Sequence, residues 1–253
     1  MIKPPAYYER ECFNKIAPYY DEENKLYMPY RELSNMRTVQ ELEKIIKTYK
    51  MPLVLEIGCG TGYTLATLAP LVKSNCRVII GIDVSEGMLS IAKSKLQDTF
   101  DIQLLIADAM QLPFKEETFD VVSCITTLHH LPYWTSFLKE LNRILKEKGC
   151  IYIEDRINNK LFDILRKLSV KSQVQVSPYE LKEGFNVRQL LLEIEAIFEI
   201  EKVEYKEFIG GWIAPKLKSK KLAKLFFIAD SWWAKIPGLR RLCMYACLKA
   251  RKE

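Results

Sequence analysis

Apolar residues recur along this 253-residue chain in two alternating rhythms. The runs LVLEIG (53–58), CRVIIGID (76–83), IQLLIA (102–107), FDVVSCI (119–125) and GCIYIED (149–155) have the length and β-branched content of buried strands. Between them GYTLATLAPLVK (62–73), SEGMLSIAKSKLQ (85–97) and YWTSFLKELNRILK (133–146) carry apolar stripes at helical spacing. Ser85 stands where an N-cap of the second belongs, with Met88, Leu89 and Ala92 on its inner face. Such alternation predicts βαβ units, hence a largely parallel sheet with helices on both faces.

The flanks read differently. MRTVQELEKIIKTYK (36–50) sets Val39, Leu42, Ile45, Ile46 and Tyr49 on one helical face. Residues 1–35, rich in tyrosine and mixed charge, predict short helices or a lid, not sheet. Beyond Asp155, residues 157–171 and 187–198 look helical, and EIEKVEYKEF (199–208) and LCMYACLKA (242–250) look like strands. Between those two strands the stretch 210–241 breaks the pattern. The expected sheet therefore has about seven strands, the last pair parted by an insertion.

Composition narrows the partners. The chain is 49% hydrophobic and 28% charged, which suits a folded domain with a polar surface. The opening MIKPPAYYERECF lacks an apolar signal core, no apolar run is long enough to span a bilayer, and the cysteine count is odd; a reducing cytoplasm is expected. No cluster of metal ligands is apparent: the two histidines are adjacent, and Cys243 and Cys247 lack further ligands. Of the net charge of +6, residues 216–241 alone contribute +7, leaving −1 for the rest. There Lys216, Lys218, Lys220, Lys221, Lys224, Lys235, Arg240 and Arg241 mingle with Leu217, Leu222, Leu225, Phe226, Phe227, Ile228, Trp232, Trp233 and Ile236. A solvated lid over the site and a peripheral membrane contact through 216–241 both fit this mixture. Nucleic acid is not expected as a partner, because the positive charge is confined to one apolar segment.

The candidate chemistry begins where the first strand enters the turn Glu56-Ile57-Gly58-Cys59-Gly60-Thr61-Gly62. Glycines open turns closed to other residues and remove Cβ atoms that would block a ligand; the helix beyond offers free N–H groups. Such a turn marks a cofactor cradle at the carboxyl end of a strand. Tyr63 stands where a nicotinamide fingerprint wants a small residue, and no lysine follows as a triphosphate loop requires. Asp83, ending the second strand, is placed to accept from ribose hydroxyls. Asp108 is placed to meet an adenine amino group, Ala109 to leave room for the ring, and Val84 and Met110 to pack its faces, although Met110 is equally a core residue.

The series LEIGCGTG, GIDVSEGM, ADAMQLPF and FDVVSCITTLHHL resembles the class I S-adenosylmethionine-dependent methyltransferases, in the small-molecule branch of ubiquinone and menaquinone biosynthesis enzymes. The resemblance covers most of residues 13–155 and implies an α/β, Rossmann-like, seven-stranded mostly parallel sheet with an N-terminal lid and a late helical insertion. It divides the single domain 1–253 into a lid (1–35), a cofactor-binding core (36–155) and an acceptor-side half (156–253) with the insertion 210–241. It implies S-adenosyl-L-methionine as cofactor, with Glu56, Gly58, Gly60 and Gly62 around its aminoacyl part, Asp83 on ribose, and Val84, Asp108, Ala109 and Met110 about adenine. Opening stretches like FNKIAPYYD (13–21) serve there as a lid, with Tyr20 its expected contact.

Because a sulfonium already activates the methyl group, the missing triad and metal cluster are consistent with this chemistry; positioning for in-line displacement is what the fold must supply. His129 and His130, after the fourth strand, are candidate catalytic bases or else shape the pocket; Glu154 and Asp155 are weaker acceptor-side candidates. The aromatics of the two flanks, Tyr7, Tyr8, Tyr19, Tyr20, Tyr27 and Tyr30 in front and Trp212, Phe226, Phe227, Trp232 and Trp233 behind, point to a small, apolar or aromatic methyl acceptor. Three alternatives stay open: a lipid-like acceptor at a membrane surface, a non-enzymatic cofactor-binding or scaffold protein on the same fold, and a Rossmann oxidoreductase. Oligomeric state leaves no mark in the sequence.

Overall fold

The expected strands form as β1 (Leu53–Ile57), β2 (Val78–Asp83), β3 (Ile102–Ile106), β4 (Phe119–Ile125), β5 (Leu145–Arg156), β6 (Glu199–Lys206) and β7 (Tyr245–Arg251). They are seen in a computed structural model that describes residues 3–24, 26, 28–97, 99, 102–158, 185–208, 210, 213 and 218–253. The sheet runs in the order β3-β2-β1-β4-β5-β7-β6, parallel from β3 to β5, with β7 antiparallel to both its neighbours. Order reverses at β1, whose neighbours β2 and β4 lead away to opposite edges, so a crevice opens beyond the carboxyl ends of β1 and β4.

Alternate strand residues face opposite sides, and each side has its own helices. On one, Leu55, Ile57, Val122, Ile151, Ile153 and Leu248 pack under α6 (Trp134–Ile144) and α7 (Val187–Glu195) through Phe137, Leu141, Leu190 and Ile194. On the other, Val54, Ile79, Val121 and Cys150 meet α3 (Pro29–Ile46), α4 (Tyr63–Val72) and α5 (Glu86–Leu96) through Leu42, Ile46, Leu65, Leu68, Leu89 and Ala92. Ser85 caps α5 as expected, its Oγ accepting from the Met88 N–H at 3.1 Å.

The front of the chain forms α1 (Pro5–Ile16) and the short α2 (Tyr20–Glu23), and the late insertion contains α8 (Lys220–Trp233). Asn14 fastens α1 to the head of α5: its Oδ1 accepts from Ser85 Oγ at 2.7 Å and from the Gly87 N–H at 2.9 Å. Some boundaries move. The helix expected over 133–146 stops at Ile144, because Leu145 already pairs with Phe119 as the first residue of a longer β5. Helix α3 begins at Pro29 and runs unbroken across residue 35. Of the helix expected over 157–171, residues 159–171 lie outside the described residues, and Ile157 forms a bridge with Phe185.

Candidate active site

A cleft of about 810 Å³, counting the space open to solvent, lies at the carboxyl ends of β1, β2 and β4, roofed by α1. Its lining brings together nine of the predicted residues: Tyr20, Gly58, Gly60, Asp83, Val84, Asp108, Ala109, Met110 and His130. Glu56, Gly62 and His129 stand behind that wall.

The glycine turn shows why these residue types are needed. Gly58, Gly60 and Gly62 all have positive φ, at 68°, 53° and 72°. A Cβ on Gly58 would lie 2.2 Å from Thr127 Oγ1, so only glycine lets the loop after β4 close against the turn. Gly62 acts elsewhere. A Cβ there would meet Ala92 at 3.0 Å, so this glycine allows close packing of α4 on α5. Gly60 has open space where a Cβ would project, as a floor for a ligand requires.

Asp83 ties the turn to the next unit. Its Oδ2 accepts from the Gly60 N–H at 2.9 Å and its Oδ1 from the Ser85 N–H at 2.8 Å. Burial pushes its carboxyl above the usual range, opposed by those two N–H groups. Asp108 has one oxygen committed to a local turn, Oδ1 accepting from the Met110 N–H at 2.8 Å. The Tyr20 phenol is pushed up to about 12, first by burial and then by Asp83, so it remains a neutral donor at physiological pH.

The residues fit the cofactor that the motifs imply. Glu56 is buried, its Oε2 has no hydrogen-bond partner among the described residues, and burial raises its carboxyl to about 8. Such an acid calls for a cationic or hydrogen-bonding group to be brought to the turn, which the aminoacyl end of S-adenosylmethionine supplies.

The two histidines part company. His129 is buried and its Nδ1 lies 2.7 Å from Asp155 Oδ1, while its backbone N–H reaches Oδ2 of the same residue at 3.1 Å. Burial lowers its imidazole pKa, against the pull of Asp155. His130 lines the cleft, its ring edge-on to Phe13 with centroids 5.0 Å apart. Neither Glu154 nor Asp155 reaches this cleft: Glu154 is sealed in a buried ion pair with Lys206 at 2.5 Å.

Sequence reasoning missed Glu9, Thr126 and Thr127, which also line the cleft. Thr126 is a non-glycine residue at φ 49°, held there by its N–H to the Glu154 carbonyl at 2.7 Å. Thr126 and Thr127 fall inside the FDVVSCITTLHHL block, which could have pointed to them; no local pattern marks Glu9. The late aromatics are the clearest correction. Helix α8 packs on α3, with Ala223, Phe226 and Phe227 against Tyr30, whose hydroxyl donates to Asp230 at 2.5 Å. None of its residues lines the cleft, and Trp232 is 70% exposed. Tyr27 and Trp212 lie outside the described residues.

A doubly covered sheet with this cradle is an S-adenosylmethionine-dependent methyltransferase, and comparison with known proteins agrees. A family model described as a methyltransferase domain matches residues 55–153. Demethylmenaquinone methyltransferases are similar over nearly their whole length: that of Lactococcus lactis is 34% identical over 229 residues, 83% of this chain and 89% of the relative. That of Staphylococcus carnosus is 30% identical over 245 residues, 88% of this chain and 99% of the relative. Among solved structures, the N-methyltransferase NodS from Bradyrhizobium japonicum, in complex with S-adenosyl-L-homocysteine, shares the fold with a TM-score of 0.57 at 14% identity, over 89% of this chain and 88% of that one. The chain belongs to the class I S-adenosylmethionine-dependent methyltransferases, in the branch related to the demethylmenaquinone methyltransferases.

Proposed function

We propose that the enzyme methylates a hydroxylated aromatic molecule of the quinol type. The observation that carries this reading is the lining of the cleft beside the cofactor residues: Pro5, Ala6, Phe13, Leu131 and Pro132 make it apolar, and Glu9 and His130 place two polar groups in it. A flat ring with a hydroxyl suits such a chamber, and the names of the Lactococcus and Staphylococcus relatives point the same way. When bound, S-adenosylmethionine supplies a methyl group already activated by its sulfonium. The chain's own residues do the rest. The glycine turn and Asp83 hold the adenosine and aminoacyl parts, Ala109 and Met110 border the base, and α1, clamped by Asn14, shuts out water. Orientation of this kind is worth up to about 7–11 kcal/mol in ideal cases. Labelled methyl is expected to pass from the cofactor to a naphthohydroquinone and not to tRNA, protein or a highly charged metabolite; transfer only to the latter group overturns the acceptor class.

A second reading concerns where this acceptor is met. We place the protein in the cytoplasm, consistent with buried thiols in its core, and propose that α8 rests on an anionic membrane surface. At about 100° per residue, Leu222, Leu225, Ile228 and Trp232 share the face opposite Ala223 and Asp230, and all four are exposed. Lys218, Lys220, Lys221, Lys224, Lys235 and Arg240 are exposed around it, and the single acid of this stretch, Asp230, is buried. Each basic residue near an anionic surface adds about 1 kcal/mol. Co-flotation with phosphatidylglycerol vesicles and not with phosphatidylcholine vesicles is expected, and K220E/K221E/K224E is expected to weaken it about a hundredfold or more. Equal flotation of this variant would show that the lysines play no part.

A further inference from the structure

Two adjacent imidazoles have each been given a carboxylate, from different parts of the fold. His129 takes its partner from the core, Asp155 at the end of β5, and is withdrawn from the cleft. His130 faces Glu9, which comes from the lid helix α1. Nδ1 of His130 lies 3.3 Å from Oε2 of Glu9, without the geometry of a hydrogen bond. Glu9 is 5% exposed, and among the described residues neither of its carboxyl oxygens has a hydrogen-bond partner. His130 Nδ1 has none either. A buried carboxylate without a donor is costly, so this corner of the cleft is set up to receive donors. The imidazole N–H within reach is one. A hydroxyl on the bound acceptor is the other.

We propose that Glu9 is a positioning residue that makes His130 the proton acceptor for the substrate's hydroxyl, and that this pair exists only while α1 is seated on the core. The inference rests on the quinol-type acceptor argued above. When His130 donates Nδ1–H to Glu9, Nε2 is left with its lone pair. The hydroxyl proton then moves to Nε2, its bonding electron pair stays on the acceptor oxygen, and Glu9 neutralises the imidazolium that forms. Closure and proton removal are thereby coupled, because the carboxylate and the histidine belong to different elements. The charged or titratable groups facing His130 are Glu9 from α1, His129 in the same turn with ring centroids 4.0 Å apart, and Asp83 from β2.

The chain has only two histidines, so both imidazoles can be followed by nitrogen NMR, with H130Q assigning the signals. In the wild-type protein His130 is expected as the Nδ1–H tautomer. E9Q takes away the charged acceptor facing Nδ1, so it should move the His130 ring signals away from the Nδ1–H tautomer and leave those of His129 in place. Binding of S-adenosylhomocysteine by E9Q should match the wild type within about twofold. With a naphthohydroquinone as probe, E9Q should reduce kcat about tenfold or more, with little change in KM. An unchanged His130 tautomer in E9Q would overturn the pairing, and weakened binding of the cofactor product would do so by assigning Glu9 to the cofactor. If the wild type does not methylate the probe, the acceptor class fails, while the NMR result still decides the pairing.

Discussion

Replacing Lys206 by alanine is expected to cost about 3–5 kcal/mol of folding stability, the range found when one partner of a buried ion pair is removed. Lys206 on β6 and Glu154 on β5 are both buried and meet across the intervening β7, with Nζ 2.5 Å from Oε1. Nζ also donates to Thr38 Oγ1 at 2.6 Å, and Thr38 donates in turn to Glu154 Oε2 at 2.8 Å, so the pair is knitted into α3. Burial alone would discharge the lysine, but Glu154 outweighs it and the ammonium is held above its ordinary pKa. Truncation leaves Glu154 as a carboxylate without a counter-charge, the costly outcome. For a chain of this size the loss corresponds to roughly 6–20 °C in Tm. The double variant K206M/E154L, which removes both charges at similar volume, should melt above K206A. A melt of K206A within about 1 kcal/mol of wild type would mean that the pair is solvated.

Asp83→Ala should weaken S-adenosylmethionine binding by about tenfold or more in calorimetry. Charge-assisted hydrogen bonds are worth about 1.5–3 kcal/mol each, and 1.4 kcal/mol is a factor of ten. The substitution also frees the N–H groups of Gly60 and Ser85, loosening the turn against the head of α5. Asp83→Asn separates the two effects. It keeps a side chain able to accept from one of those N–H groups and loses the charge, so its affinity should fall between wild type and alanine. An unchanged dissociation constant in D83A would remove Asp83 from the ribose site.

The cradle was legible because its parts are contiguous. A strand, three glycines and a helix follow one another within β1, the turn and α4; Asp83 and the cap Ser85 are two residues apart; Asp108 and Met110 share one turn. Local geometry nearly dictates where such residues lie. Roles were harder to read than positions. Gly62 sits in the motif yet serves helix packing, because its missing Cβ faces Ala92. His129 and His130 look equivalent as neighbours, but the turn after β4 aims one at Asp155 and the other at the lid.

The pattern along the chain was enough to establish a parallel α/β sheet, its strand count and the cofactor turn, since periodicity and glycine chemistry act over a few residues. Folding in three dimensions settled what depends on distant partners. Thr38 meets Lys206 across 168 positions and Tyr30 meets Asp230 across 200, and the latter contact seats α8 on α3 with Trp232 turned outward and Trp233 against Phe208, both away from the cleft. Glu9 looks like any surface acid on a mixed-charge helix until α1 closes over His130. Those pairings depend on burial and through-space charge, quantities that no stretch of linear sequence contains.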